Sequence, residues 1–282
     1  MSKEALMTAV AAGDVETAVA LMGTVAPEDL EAARTVAAEQ GHVQLAEAID
    51  HAIAVASGPD LVLRFDEAAR SAYAEGEVHK AAEMMLRAVD AGRNTLTMNH
   101  GQTLACVSNL AVMLRELGQA EAATDVVGAA LEEIETPPVR PIAGQGLVRL
   151  SELTATCANL GDPALEARGH RRLVLELELT EQTATANYPA ALNNFAEFCR
   201  RHGMMDEAEE LYSQVLDHAA TPPAGKAAVL SNMALLHAHR GERDRAIALL
   251  EESISQQVAL WGTSHPNVQA SMANLQRLQQ GG

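Results

Sequence analysis

Asn193-Asn194-Phe195-Ala196-Glu197-Phe198-Cys199-Arg200-Arg201-His202-Gly203-Met204-Met205-Asp206-Glu207-Ala208-Glu209-Glu210-Leu211-Tyr212 reads as two helices joined by a tight turn. Gly203 ends the first helix, because glycine enters the left-handed conformation of a C-terminal cap without a steric cost. Asp206 is expected to restart the chain as the cap of the second helix, with Asp206-Glu207 placed where the helix dipole favours acidic groups. Ala196 and Ala208 lie where the two helices must cross, and a small side chain at each lets them approach.

The same arrangement recurs along the chain. Gly13, Gly41, Gly76, Gly118, Gly161, Gly203 and Gly241 each stand where one helix hands over to the next, the last five spaced by 42, 43, 42 and 38 residues and the first three by 28 and 35. Asn109-Leu110-Ala111, Asn194-Phe195-Ala196 and Asn232-Met233-Ala234 precede their glycines by nine to seven positions, and Ala81, Ala123, Ala208 and Ala246 follow theirs by five. Ala69, Ala111, Ala196 and Ala234 supply the facing small residues. A period of this length means stacked helix pairs, each a unit that buries its apolar face only against its neighbours. Asp162-Pro163 is a further helix-start signal, a cap followed by proline at the first helical position. The copy around Gly161 is weaker, with Glu152 in the asparagine position and Glu166 in the alanine position.

Over roughly residues 60–282 this pattern resembles the tetratricopeptide repeat, and more narrowly its kinesin-light-chain-like form. Trp261-Gly262-Thr263-Ser264-His265-Pro266 is similar to the connector that precedes the first helix of a repeat in that subfamily. The resemblance implies an all-α, right-handed superhelical solenoid of antiparallel helix pairs. It also implies a concave groove lined by the first helix of each pair, with asparagine there contacting a bound peptide.

Composition narrows the function. Twenty basic and 38 acidic residues give a formal net charge of −18, and Arg171-Arg172 and Arg200-Arg201 are isolated doublets. A nucleic-acid binder needs a basic stripe to displace counterions, so no nucleic-acid partner is expected, and an anionic membrane surface is disfavoured on the same ground. Hydrophobic residues make up 48% of the chain but aromatics only 2%, so the core is expected to be aliphatic and easily remodelled. Cys106, Cys157 and Cys199 read as buried free thiols, and no Cys-x-x-Cys pair suggests zinc or redox chemistry. No two of the ten histidines stand four residues apart on one helical face, so no metal site is expected. His237, aligned with Cys157 and Cys199, reads as a packed residue. Gly144-Gln145-Gly146 lacks the third glycine of a dinucleotide fingerprint. Glu132-Glu133 and Glu251-Glu252 read as solvated faces. The expectation is a protein that is not an enzyme, with no cofactor. The absence of a long apolar run near Met1 points to a cytoplasmic protein without a membrane span.

Three zones follow. Residues 1–57 read as an N-terminal capping module of two short helix pairs, around Gly13 and Gly41, with a faint ankyrin-like flavour. Ser57-Gly58-Pro59-Asp60 marks a junction. Residues 60–282 form the repeat array, with Thr136-Pro137-Pro138 and Thr221-Pro222-Pro223, each 18 residues past a glycine, as equivalent connectors. A final helix from about Pro266 to Gln280 caps the stack, with Leu275 and Leu278 covering the preceding helix, and Gly281-Gly282 reads as a frayed end.

The candidate site lies on the first helix of each pair. Residues nine, six, and two or three before each glycine share one face. That face carries Asn109, Val112, Arg115 and Glu116 in one layer, then Asn194, Glu197, Arg200 and Arg201, then Asn232, Leu235 and His239, and finally Asn274. An asparagine amide both donates and accepts, so it can pair with an extended peptide backbone, or with a neighbouring helix in the stack. The expected function is a protein–protein interaction scaffold gripping a protein or peptide partner. A peptide-gated regulator and an accessory subunit of an enzyme complex are the alternatives.

Overall fold

The left-handed glycines set the architecture. In the computed structural model, which describes residues 2–22, 25, 27–57 and 59–280, the glycines at 13, 41, 76, 118, 161, 203 and 241 all adopt positive φ, between 68° and 81°. Among the described residues there are fifteen helices and no strand. They are α1 (Ser2–Ala12), α2 (Val15–Met22), α3 (Pro27–Glu39), α4 (Val43–Ser57), α5 (Pro59–Ala74), α6 (Val78–Thr95), α7 (Gly101–Glu116) and α8 (Ala120–Glu135). There follow α9 (Gly146–Leu160), α10 (Pro163–Leu179), α11 (Asn187–Arg201), α12 (Met205–Asp217), α13 (Pro223–His239), α14 (Arg243–Trp261) and α15 (Pro266–Gln280). The all-α fold expected from the repeat is therefore what the chain adopts. The junction at 57–60 turns on Gly58 and the frayed end on Gly281-Gly282, and these three glycines lie outside the described residues.

One residue does two jobs at most of these turns. The N–H of Glu77, Gln119, Met204 and Glu242 reaches back five residues to close the preceding helix, at 2.8–2.9 Å. The carbonyl of the same residue accepts the first bond of the next helix, from Ala81, Ala123, Ala208 and Ala246 at 2.9–3.1 Å. Asp14 and His42 do likewise in the N-terminal pairs. This explains the alanine at 81, 123, 208 and 246, five positions after its glycine: it closes the first helical turn while its side chain is wholly buried.

It also corrects the role of Asp206. The residue after Gly203 already serves as the cap, so α12 begins at Met205 and Asp206 falls inside its first turn. Its carboxylate instead accepts a bond from Arg240 at 2.5 Å. Asp162 does cap, accepting from the N–H groups of Ala164 and Leu165 at 2.8 and 3.2 Å.

The chain divides after Leu165 into two compact units. In the first, α1–α2, α3–α4, α5–α6 and α7–α8 are packed antiparallel pairs, and α9 lies on α7 and α8. In the second, α11–α12 and α13–α14 pair, α11 lies beside α13, and α15 packs on α14. The division falls at Glu166, the one turn where a carboxylate replaces the small alanine. Its side chain is nonetheless buried, bonded to Arg201 at 2.8 Å.

The first unit's core is aliphatic, as composition suggests: Leu104, Val107, Leu110, Val127, Leu131 and Leu153 are buried. The second departs from that expectation, because Phe195, Phe198 and Tyr212 gather in one buried cluster with Ala196 and Ala208. The three thiols are buried as expected, and burial pushes Cys106 and Cys199 up to about 12. Leu275 and Leu278 of α15 pack on Leu250 and Ile254 of α14. A buried polar chain joins the same helices: Ser231 and Ser253 hydroxyls meet at 2.7 Å, Gln257 donates to Ser253 at 2.9 Å, and Ser271 donates to Gln257 at 3.0 Å.

Two glycines inside helices separate packing from propensity. A Cβ at Gly92 would lie 2.6 Å from the Thr103 hydroxyl and 3.1 Å from its Cβ, so glycine is what lets α6 and α7 meet there. At Gly128 the nearest group, the Leu165 Cδ2, is 3.7 Å away, an ordinary contact. Gly128→Ala should stabilise by about 0.5–1 kcal/mol, the helix-propensity difference. Gly92→Ala should instead cost about 1–3 kcal/mol by overpacking. Thermal melts of the two variants should move in opposite directions.

Candidate functional site

The first helices of the repeats carry the predicted residues, and the structure sorts them into engaged and open groups. On α11, Asn194 is exposed, with no hydrogen bond to other described residues, whereas Glu197 and Arg200 hold each other in a two-point pair at 3.0 and 2.7 Å. The Tyr212 hydroxyl of α12 donates to the same Glu197 carboxylate at 3.1 Å. Burial pulls the Glu197 pKa upward. The bonds from Arg200 and Tyr212, with the charges of Arg200 and Arg201, outweigh it and hold the group below the usual carboxylate range. Arg201 is committed to Glu166.

On α13, Leu235 is 36% exposed and His239 is exposed with no bonded partner among the described residues. Asn232 is half-buried, and its amide donates to the Asn193 Oδ1 on α11 at 3.4 Å. That is the stack role rather than an open amide. Asn274 on α15 accepts a bond from Arg277 of its own helix.

In the first unit, Asn109 is half-buried and Arg115 exposed, each without a bonded partner among the described residues. Glu116 accepts from the Tyr73 hydroxyl of α5 at 2.6 Å, a bond that raises the Tyr73 pKa. Tyr73 is 40% exposed and sits three residues before Gly76, the position that Arg115 and Arg200 occupy in their repeats. Sequence reasoning passed over it, although the register of the repeat points to it.

His237 is fully buried, as its alignment with the cysteines suggests, with Nδ1 2.8 Å from Glu242 and Nε2 3.7 Å from Glu209. His170, stacked on Phe195 and against Phe198, is held below the ordinary imidazole range mainly by burial. Arg201 adds to this shift and Glu166 opposes it.

Between α11 and α13 lies a cleft of about 200 Å³ with Asn193 and Asn194 among its lining residues. Its other walls are small and apolar, including Ala190, Val215, Ala228 and Val229. Ala190 and Ala228 each stand thirteen residues before their glycine, a repeated small position that the sequence offered and the asparagine pattern overshadowed. Among the described residues no group of three His, Cys, Asp or Glu side chains could hold a metal ion, and no helix is long and apolar enough to cross a membrane.

Two tetratricopeptide-repeat family models match the chain, one over residues 182–257 and one over 103–135. The chain carries tetratricopeptide repeats. The longer match takes in α11 to α13 and most of α14, so the cleft and Asn194 lie within tetratricopeptide repeats, and the shorter match takes in most of α7 and all of α8. Among solved structures, the nearly identical TPR-like repeats of a Podosopora anserina kinesin-light-chain protein share 22% identity over 71% of this chain and 95% of theirs, with a TM-score of 0.49. YrrB, a TPR protein with an unusual peptide-binding site, shares 17% identity over 74% of this chain and 90% of its own, with a TM-score of 0.44. MamA shares 13% identity over 72% and 96%, with a TM-score of 0.46. No curated protein matches the chain.

Proposed function

We propose that this chain is a non-catalytic protein–protein interaction module that grips an extended segment of a partner along the first helices of its repeats. Tetratricopeptide repeats support an interaction role at the level of the family. The observation that carries the finer reading is Asn194: an exposed amide with no bonded partner among the described residues, lining a mostly apolar cleft. Its donor and acceptor suit a partner's backbone whatever the side chains. His239, likewise unengaged among the described residues, offers a further polar contact in the same unit, and Asn109 and Arg115 offer their own on the first unit. Glu197 and Arg200 brace the α11 face through their mutual bonds, and Arg201 through its bond to Glu166. In this reading residues 60–282 bind and residues 1–57 cap the array.

Asn194→Ala and Asn232→Ala therefore separate two roles. With a partner identified by cross-linking and mass spectrometry, Asn194→Ala should weaken binding about two- to tenfold, the worth of one hydrogen bond of about 0.5–1.5 kcal/mol. Its melting temperature should stay fixed. Asn232→Ala should lower stability by about 0.5 kcal/mol, since its bond to Asn193 is long. Calorimetry showing unchanged affinity in Asn194→Ala would remove the groove reading.

A further inference from the structure

Resting on the groove reading, we propose that the α11–α13 cleft is an anchor site for one large aliphatic side chain of the partner segment, of leucine or isoleucine size. Its volume, about 200 Å³, is below the range of about 300–1,000 Å³ typical of whole-ligand sites. A single side chain is what fits. No ionisable residue lines it, in a chain that carries 38 acidic and 20 basic groups.

Charge complementarity therefore selects a neutral occupant, because an ionised side chain would lose its water and gain no counter-charge. The Thr221 hydroxyl is already spent on the Val215 carbonyl at 2.6 Å, so the open polar groups of the lining are the amides of Asn193 and Asn194. No aromatic ring or guanidinium lines the cleft to stack on a flat occupant, so dispersion contacts to Val215 and Val229 favour a branched aliphatic shape. Ala190 and Ala228 hold the space open. Both are exposed, and a larger residue at either would fill it. Asn194 then meets the backbone of the residue whose side chain is anchored.

The test uses the whole chain and four small probes, the N-acetyl N-methylamides of leucine, tryptophan, aspartate and lysine. Backbone amide shifts of Ala190, Asn194, Gly225 and Ala228 are followed by NMR on titration. The leucine probe should give saturable shifts at these residues, and the aspartate and lysine probes none. Ala228→Leu and Ala190→Leu, at exposed positions that leave the circular dichroism melt unchanged, should each weaken the leucine probe at least tenfold. Equal shifts from the charged probes, tighter binding of the tryptophan probe, or undiminished leucine binding in both variants would overturn the proposal. A found partner separates the two readings. If Asn194→Ala weakens it and Ala228→Leu does not, the anchor fails and the groove stands; the reverse result keeps the anchor and removes the backbone contact.

Discussion

Arg172→Met should cost the second unit about 3–5 kcal/mol, Glu176→Leu should cost about as much, and the double variant should cost less than the two losses added. The two side chains lie one turn apart on α10, 3.1 Å from each other, and each is only 1% exposed. Removing one partner takes this contact from a charge that water does not reach. Removing both takes away the two charges that need each other and leaves apolar groups of similar volume between them, so the second change costs less than the first. Urea unfolding followed by fluorescence of Trp261, the chain's one tryptophan and a residue of the second unit, reads the effect directly. Additive losses in the double variant would show that the two side chains act separately.

Phe198→Ala should cost a further-reaching 3–5 kcal/mol, about the usual loss for truncating a core ring. Phe198 is 1% exposed, with ring centroids 5.5 Å from His170, 4.5 Å from His202 and 6.3 Å from Phe195. The variant also carries a pH signature. Burial keeps the folded-state pKa of His170 below its ordinary value of 6.5, so the folded form resists protonation that the unfolded form accepts. The stability that His170 contributes is fully present above pH 6.5 and is lost as the pH falls toward its folded-state pKa. Opening a cavity beside the ring should raise that pKa and flatten the acid slope. NMR titration of the His170 ring, together with melts between pH 5 and 8, checks both parts; a steeper acid slope in the variant would contradict the burial account.

The turns were legible in the sequence because their cause is local. A left-handed residue between two helices calls for glycine, and the next tight contact calls for alanine, so spacing alone placed Gly118 and Ala123 or Gly203 and Ala208. Asp206 misled because a preferred capping residue stood two positions from where the backbone needed it: Met204 took the cap with its own N–H and carbonyl, a role open to almost any side chain. Asn194 and Asn232, two of the four asparagines of the candidate face, looked equivalent in sequence. Asn232 differs from Asn194 through the Oδ1 of Asn193 on α11, a tertiary neighbour that no period reveals. The cleft likewise arises from small residues on two helices and the loop before α13, and only their packing makes a space of them.

The doubly employed turn residue makes this chain a protein with two kinds of joint. A residue inserted between Gly118 and Ala120 would unseat the end of one helix and the start of the next together, so these turns stay at two or three residues throughout the described pairs. The joints between pairs carry no such double duty. They run to ten residues at 136–145, seven at 180–186, five at 96–100 and 218–222, and four at 262–265. Changes of length over evolutionary time, and any tag or reporter placed by design, are therefore channelled to the second kind of joint. The fold can lengthen or shorten its period there, as the change in glycine spacing from 43 to 38 records, while each helix pair is inherited whole.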